Sequence, residues 1–163
     1  MFKKVVSYLG VIIVLFSAGI VFAAQEIKVP SGTTVLLGTV STITTKNIAV
    51  GDRVAFYVVN DVVSDGKIII KSGSSATGNV ERFEKPKFFG VPAKLRINLA
   101  SVPAVDGQLL PITGNYDFQG KRNTLQAVIG FIFFIPVKGK HLEIAADTRF
   151  EGTIPMPVNI QVD

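Results

Sequence analysis

The sequence predicts an all-β fold, a small antiparallel β-barrel or sandwich of about eight to ten short strands with at most one short apolar helix. Three observations carry this prediction. A strand–turn–strand pattern recurs three times, in residues 27–38, 68–78 and 142–152. Two Asp-Gly dipeptides lie beside runs of β-favouring residues. No stretch alternates strands and helices at the spacing of a βαβ unit, which argues against a parallel sheet.

Each copy of the pattern has the same order of features. Apolar residues at alternate positions precede a turn of small residues, and this alternation indicates a strand with one buried face. The turns centre on Gly32, Gly73 and Asp147, which are residue types that tolerate a positive φ. A Thr or Ser follows each of them, and its hydroxyl can bond the turn backbone. We therefore expect one turn chemistry in all three copies; chance repetition in a β-rich chain is the alternative.

The two Asp-Gly dipeptides predict hairpins, because a type I′ turn needs positive φ at both central positions. Asp65 and Gly66 follow residues 54–63, a continuous β-favouring run that we expect to pair with the second copy of the pattern. Asp106 and Gly107 turn the chain back after an alternating strand. These four residues are therefore assigned a structural role.

Residues 1–24 have the three parts of a secretory signal peptide. Lys3 and Lys4 form a basic start, an apolar run follows, and Ala23 and Ala24 are the small residues at its exit. The alternative is an uncleaved anchor, because the run approaches the ~20 residues that cross a bilayer. The prediction is an exported protein of the bacterial periplasm or cell envelope from which the signal peptide is removed.

Cleavage after residue 24 leaves 139 of the 163 residues, 25–163, as a single domain. It removes Lys3 and Lys4 and lowers the formal net charge from +5 to +3. That charge is too small and too dispersed to indicate a nucleic-acid partner. The chain has no Cys, which excludes a lipid-modified Cys, a disulfide framework and a thiol nucleophile.

Residues 81–93 are rich in Pro, Gly, Phe and Lys, a composition that predicts a loop with aromatic anchors. Aromatic and basic side chains interleave there and could form a surface for a ligand or partner. The alternative is that the rings cover the open end of a barrel. The candidate residues are Phe83, Phe88, Phe89, Lys85 and Lys87.

Residues 125–137 form an apolar run with basic residues on both sides. The run is too short for a spanning helix. As a helix it would be apolar nearly all round, which suits a buried element or a contact with lipid or a partner. One interpretation is burial across the sheet face; the other is insertion at a membrane surface, where the flanking charges meet anionic head groups. The candidate contact residues are Ile129, Phe131, Ile132, Phe133 and Phe134.

Catalytic and cofactor motifs are missing from the sequence. His141 is the only His, and it is expected on the surface at the start of a strand, without the nucleophile and orienting group that a catalytic His needs. The Asp residues lie mostly in turns. No metal-ligand spacing, phosphate loop or dinucleotide motif occurs. We therefore predict no catalytic residue, cofactor or metal site.

The turn motifs resemble those of small exported bacterial β-rich proteins of unknown function. They are Val-Pro-Ser-Gly-Thr at 29–33, Val-Gly-Asp-Arg-Val at 50–54 and Lys-Gly-Lys at 138–140, and the similarity covers 27–154. More distantly, the chain is similar to the C-terminal β-barrel of the membrane-bridging scaffold protein of type IV secretion (conjugation) channels. That family inserts an apolar helical element between barrel strands to reach the outer membrane, and 125–137 falls at a comparable place. The resemblance implies a role in the cell envelope.

The sequence favours three functions, in decreasing order of support. The first is a non-catalytic exported domain that acts through surface contacts with an envelope protein or a membrane surface. The second is a module that binds a glycan or another small ligand. The third is a hydrolase, which would need a carboxylate pair or a Ser site in a cleft.

Overall fold

The computed structural model describes residues 25–87, 91–120 and 140–162, and every regular element in these ranges is a β-strand. The all-β prediction is confirmed. There are more strands than predicted because several contain only two or three residues. The predicted signal peptide lies outside the described residues. The strands are β1 (Gln25–Val29), β2 (Thr34–Thr39), β3 (Ile43–Thr44), β4 (Arg53–Val58), β5 (Val62–Ser64), β6 (Lys67–Ile70), β7 (Ser75–Glu84), β8 (Lys94–Pro103), β9 (Leu109–Pro111), β10 (Asn115–Gln119), β11 (Glu143–Ile144), β12 (Arg149–Thr153) and β13 (Val158–Val162).

The turns of the three repeated patterns share one backbone conformation. Gly32, Gly73 and Asp147 have φ angles of 86°, 80° and 63°, in the left-handed region that Gly enters freely and Asp tolerates. In the first and third copies the following Thr closes the turn. The hydroxyls of Thr33 and Thr148 each donate to the carbonyl three residues earlier, at 2.8 and 2.6 Å.

Each of these turns is also a bulge that closes the end of a neighbouring strand. The N–H of Gly32 donates to the carbonyl of Ile154 at 2.9 Å, and the N–H of Ile154 donates to the carbonyl of Thr33 at 2.9 Å. Two residues of the turn therefore oppose one residue of the partner strand, which defines a bulge. The same pair of bonds joins the turn at Gly73 to Val58 and the turn at Asp147 to Thr39.

A fourth turn of this kind, absent from the three predicted copies, precedes β4. Gly51 has a φ of 92°. Its N–H donates to the carbonyl of Val80 at 2.9 Å, and the N–H of Val80 donates to the carbonyl of Asp52 at 2.9 Å. Here Asp52 replaces the Thr or Ser, and its carboxylate accepts the N–H of Ala49 at 2.7 Å. The described part of the chain thus contains four turn–strand units, which are these four bulged turns with the strands β2, β4, β7 and β12 that follow them.

The four turn–strand units supply much of the core through one spacing. In each unit the residues three, five and seven positions after the positive-φ residue are buried, as one face of a strand requires. These residues are Val35, Leu37, Thr39, Val54, Phe56, Val58, Ala76, Gly78, Val80, Phe150, Gly152 and Ile154.

The unit strands lie in one curled antiparallel sheet of order β10-β8-β7-β4-β2-β12, with β9 paired to β8. Its two end strands meet. Thr113 and Thr153 exchange two backbone hydrogen bonds, of 2.8 and 2.9 Å. The hydroxyl of Tyr116 donates to the carbonyl of Glu151 and accepts the N–H of the same residue, both at 2.7 Å. The sheet therefore forms a barrel-like shell in which a tyrosine hydroxyl replaces part of a strand pairing.

The units associate in two reciprocal pairs. In the first pair, β2 pairs with β12. Two flanking positions lie beside them, and at each one the strand before one unit pairs with the strand after the other unit: β1 with β13, and β11 with β3. In the second, β4 pairs with β7, and β5 with β6 fills one flanking position. At the other flanking position, the chain before Gly51 would have to pair with the chain that follows the paired part of β7. Within the described ranges these two segments form no strand pair. The second pair is therefore open on one side.

The strand expected over residues 54–63 is interrupted, and that prediction is wrong in one respect. β4 ends at Val58 and β5 begins at Val62. Between them, the carboxylate of Asp61 accepts the N–H of Ser72 at 2.6 Å, and hydrogen bonding from Ser72 lowers the pKa of Asp61. The chain bends at this contact. The pairing of both parts with the second copy is nevertheless present, as β4 with β7 and β5 with β6.

Candidate functional site

Two of the predicted ligand-surface side chains, Phe83 and Lys85, line the same groove. Lys87 is exposed two residues further along, and its N–H donates to the carbonyl of Val91 at 3.0 Å. Phe88 and Phe89 lie outside the described residues, and so do Ile129, Phe131, Ile132, Phe133 and Phe134.

The loop predicted over residues 81–93 begins later than expected. β7 continues to Glu84, so Phe83 is a strand residue and not a loop aromatic. The Phe83 ring is half-buried and packs against the hydrophobic core. The strand is extended here because β8 pairs with it as far as Glu84 and Lys94. Phe83 therefore forms a fixed wall and not a mobile anchor.

The groove has a volume of ≈ 430 Å³, and other surface depressions of the described fold have volumes of ≈ 330, 490 and 680 Å³. Three separate parts of the chain form it. Lys46, Lys85 and His141 bring cationic or protonatable groups to it, and among the described residues no acidic side chain lines it. We call it the cationic groove. Its lining residues are Thr45, Lys46, Asn47, Ile48, Ala49, Phe83, Lys85, Pro86 and His141.

The cationic groove occupies the open flanking position of the second unit pair. One wall is the end of β7, whose edge towards β4 is paired only as far as Val80. The other wall is the chain before Gly51, which turns at Thr45 and Lys46 after β3 and does not continue as a strand. Pro86 removes a donor from the first wall. Both features prevent the two walls from pairing with each other.

His141 contacts Thr45 at one end of the groove, with 3.4 Å between Nδ1 and the hydroxyl oxygen. The Thr45 side chain is not available as a nucleophile. It is 2% exposed, accepts the N–H of Leu142 at 2.8 Å and contacts the carbonyl of Leu142 at 3.3 Å. This hydroxyl fixes the chain before β11 onto β3, which is a structural role.

The chain leaves and re-enters the described fold at one place near the start of β8. The N–H of Gly120 donates to the carbonyl of Ala93 at 3.1 Å, and the N–H of Ala93 donates to the carbonyl of Lys140 at 3.4 Å. Lys140 directly precedes His141 of the cationic groove. The sequence between these anchor points, 121–139, contains the apolar run and lies outside the described residues.

A second charged surface lies on the outer face of β7, β8 and β10, and its charges are paired. Arg96 binds the carboxylate of Asp117 through two nitrogens, at 2.7 and 2.9 Å. This hydrogen bond lowers the pKa of Asp117 and raises that of Arg96. Glu84 contacts Arg82 at 2.6 Å and Lys94 at 3.7 Å. Because the carboxylates of Asp117 and Glu84 already have cations, this surface is less suited to a charged ligand than the cationic groove.

The residues of the two Asp-Gly dipeptides lie in hairpin turns. Asp65 and Gly66 have φ angles of 49° and 76° between β5 and β6, as a type I′ turn requires. Between β8 and β9 only Gly107 has a positive φ, of 85°, so the type I′ prediction is wrong for that turn. The carboxylate of Asp106 accepts the N–H of Gln108 at 2.9 Å and that of Gln161 at 3.1 Å. Asp106 thereby links this hairpin to β13.

Within residues 25–87, 91–120 and 140–162, no group of three or more His, Asp or Glu side chains is placed to hold a metal ion. In the same ranges, no helix has the length and apolar character needed to cross a bilayer. The chain matches no family model, and no curated protein matches it.

Proposed function

We propose that this protein is an exported, non-catalytic β-domain of the bacterial cell envelope that acts through surface contacts, with a membrane surface as its partner. The apolar run 125–137 makes the contact, through Ile129, Phe131, Ile132, Phe133 and Phe134. The β-barrel-like shell is the scaffold that presents this run.

One observation carries the proposal: Gly120 and Lys140 are both bonded to Ala93. The segment that contains the apolar run therefore leaves and rejoins the described fold at one place, beside Ala93. Lys121, Arg122, Lys138 and Lys140 flank it in sequence, so any surface that the run reaches meets positive charge on both sides. Apolar side chains flanked by cations bind anionic lipid surfaces by burial and electrostatic attraction together.

The described part of the chain supports a non-catalytic role. The only His lies beside a Thr whose hydroxyl is engaged with the backbone of Leu142. The paired carboxylates of the outer face are bound by Arg and Lys. Export is supported by the basic, apolar and small-residue order of residues 1–24.

Vesicle flotation tests this proposal with the full chain purified from an exporting bacterial host. The unmodified protein is expected to float with phosphatidylglycerol vesicles. A Phe131→Asp, Phe133→Asp variant is expected to lose at least about tenfold in vesicle affinity, because burying one Phe side chain contributes about 1.5–3 kcal/mol. Association should also weaken as salt is raised, since the flanking cations are screened.

The matched control replaces Leu109 and Met156 with Asp. These side chains are apolar, 65% and 57% exposed, and outside the apolar run. This variant carries the same change in charge and should float like the unmodified protein. Failure of the unmodified protein to bind vesicles, or equal loss in both variants, would contradict the membrane contact.

A further inference from the structure

The open flanking position of the second unit pair indicates that the cationic groove has room for an added β-strand. Elsewhere in the two unit pairs, the corresponding positions are filled by a pair of strands, β1 with β13, β3 with β11, and β5 with β6. The fourth flanking position is the open one. There β7 continues from Glu81 to Glu84, beyond the last residue that contacts β4, and β8 pairs with its other edge. No described strand pairs with the β4-side edge there. An unpaired strand edge is a template for a strand from another chain.

The charges that line the groove select the side chains of such a strand. Lys46 and Lys85 are exposed on opposite walls, and His141 stands at the end. Glu81 and Glu84 stand on this stretch of β7, but neither lines the groove. Glu84 is bound by Arg82 and Lys94. Complementary charge favours a partner that carries carboxylates.

We propose that the cationic groove binds an extended acidic segment of another envelope protein, which adds a strand to the free edge of β7. The backbone of this segment supplies the ladder that no strand of residues 25–87, 91–120 or 140–162 provides at this position. Its carboxylates contact Lys46 and Lys85, and an apolar side chain of the segment packs on Phe83. This contact uses residues other than those of the proposed membrane contact, 125–137.

Fluorescence anisotropy with a labelled ten-residue peptide of alternating Glu and Val tests the proposal on the full chain purified from the exporting host. The peptide is expected to bind, and a peptide of alternating Lys and Val is not. A third peptide keeps the Glu and Val side chains but is N-methylated at alternate residues. Because main-chain hydrogen bonds give affinity in strand addition, the N-methylated peptide should bind at least about tenfold more weakly.

Charge reversal on the protein locates the site. A Lys46→Glu, Lys85→Glu variant is expected to lose at least about tenfold in affinity for the acidic peptide. Lys28 and Lys71 are exposed lysines outside the groove. A Lys28→Glu, Lys71→Glu variant has the same net charge as the groove variant and should change the affinity by less than about twofold.

The outcomes separate this proposal from its competitors. Absence of peptide binding, equal affinity for the N-methylated peptide, or equal loss in both lysine variants would overturn it. If the Lys46→Glu, Lys85→Glu variant loses binding to phosphatidylglycerol vesicles, and the peptide does not bind the unmodified protein, the groove binds lipid head groups and the proposal is wrong. The Phe131→Asp, Phe133→Asp variant should bind the acidic peptide as tightly as the unmodified protein. The peptide experiment can therefore succeed even if the vesicle experiment contradicts the membrane contact.

Discussion

Replacing Phe150 with Ala is expected to lower the free energy of unfolding by about 3–5 kcal/mol, the cost of removing a buried aromatic ring. Phe150 is 2% exposed and contacts three other rings. Its centroid lies 4.8 Å from that of Tyr116, 5.1 Å from that of Phe56 and 5.7 Å from that of Phe118. Edge-on aromatic pairs contribute beyond their buried area. The ring also lies where β12 approaches β10, so its loss weakens the closure of the sheet.

Urea denaturation measures this effect, and Phe118→Ala is the matched control. Phe118 is half-buried, and its one described ring contact is with Phe150. Its removal should cost about 1–2 kcal/mol, because less apolar surface leaves water on folding. A smaller loss for Phe150→Ala than for Phe118→Ala would show that the ring cluster is not the centre of the core.

Gly78→Ala is expected to destabilise the protein by about 1–3 kcal/mol, as overpacking of a filled core does. Gly78 belongs to the inward face of β7. A Cβ there would lie 2.7 Å from the carbonyl oxygen of Asn98 and 2.9 Å from the ring of Phe56. The first contact is with the backbone of β8, which pairs with β7 along its length. The two strands would therefore have to separate.

Gly38→Ala distinguishes this steric effect from a general effect of replacing a strand glycine. A Cβ at Gly38 would also come within 2.7 Å of its nearest atom, but that atom is at the far end of the Tyr57 side chain. Tyr57 can rotate away at the cost of its hydrogen bond to Asp147. The expected loss is about 1 kcal/mol or less. Equal losses for the two variants in urea denaturation would contradict the assigned contact between Gly78 and β8.

The fold class could be predicted because turn chemistry and alternation are local signals. Gly32, Gly73 and Asp147 stand out in the sequence, since a small or hydroxyl residue follows each of them. The unit at Gly51 lacks this signal because Asp52 takes the place of the Thr or Ser. The spacing of its buried residues, Val54, Phe56 and Val58, would have revealed it. Apolar residues three, five and seven positions after a Gly are therefore a second signal for this unit.

Element boundaries that depend on distant partners were not predictable. Residues 81–84 read as part of a loop because Pro and Phe follow closely, yet pairing with β8 extends β7 to Glu84. The run 54–63 reads as one strand because every residue but two is β-favouring or small. The break at Asp61 depends on Ser72 in the next turn.

The cationic groove could be predicted only in part. Phe83 and Lys85 can be predicted because aromatic and basic residues interleave there. Lys46 and His141 were not assigned to the same surface, since they lie far apart in sequence and meet only through the pairing of β3 with β11. The open flanking position was not visible either, because it follows from how the units pair and not from any motif.

Amide hydrogen exchange by NMR tests most directly the claim that four reciprocal turn–strand units organise this protein. The N–H groups of Gly32, Gly51, Gly73 and Asp147 each donate to a carbonyl on a partner strand, at 2.8–2.9 Å. We predict that all four exchange as slowly as the strands they close, since opening any one requires separation of a unit pair. Exchange of these four groups at the rate of exposed loop amides would contradict the account.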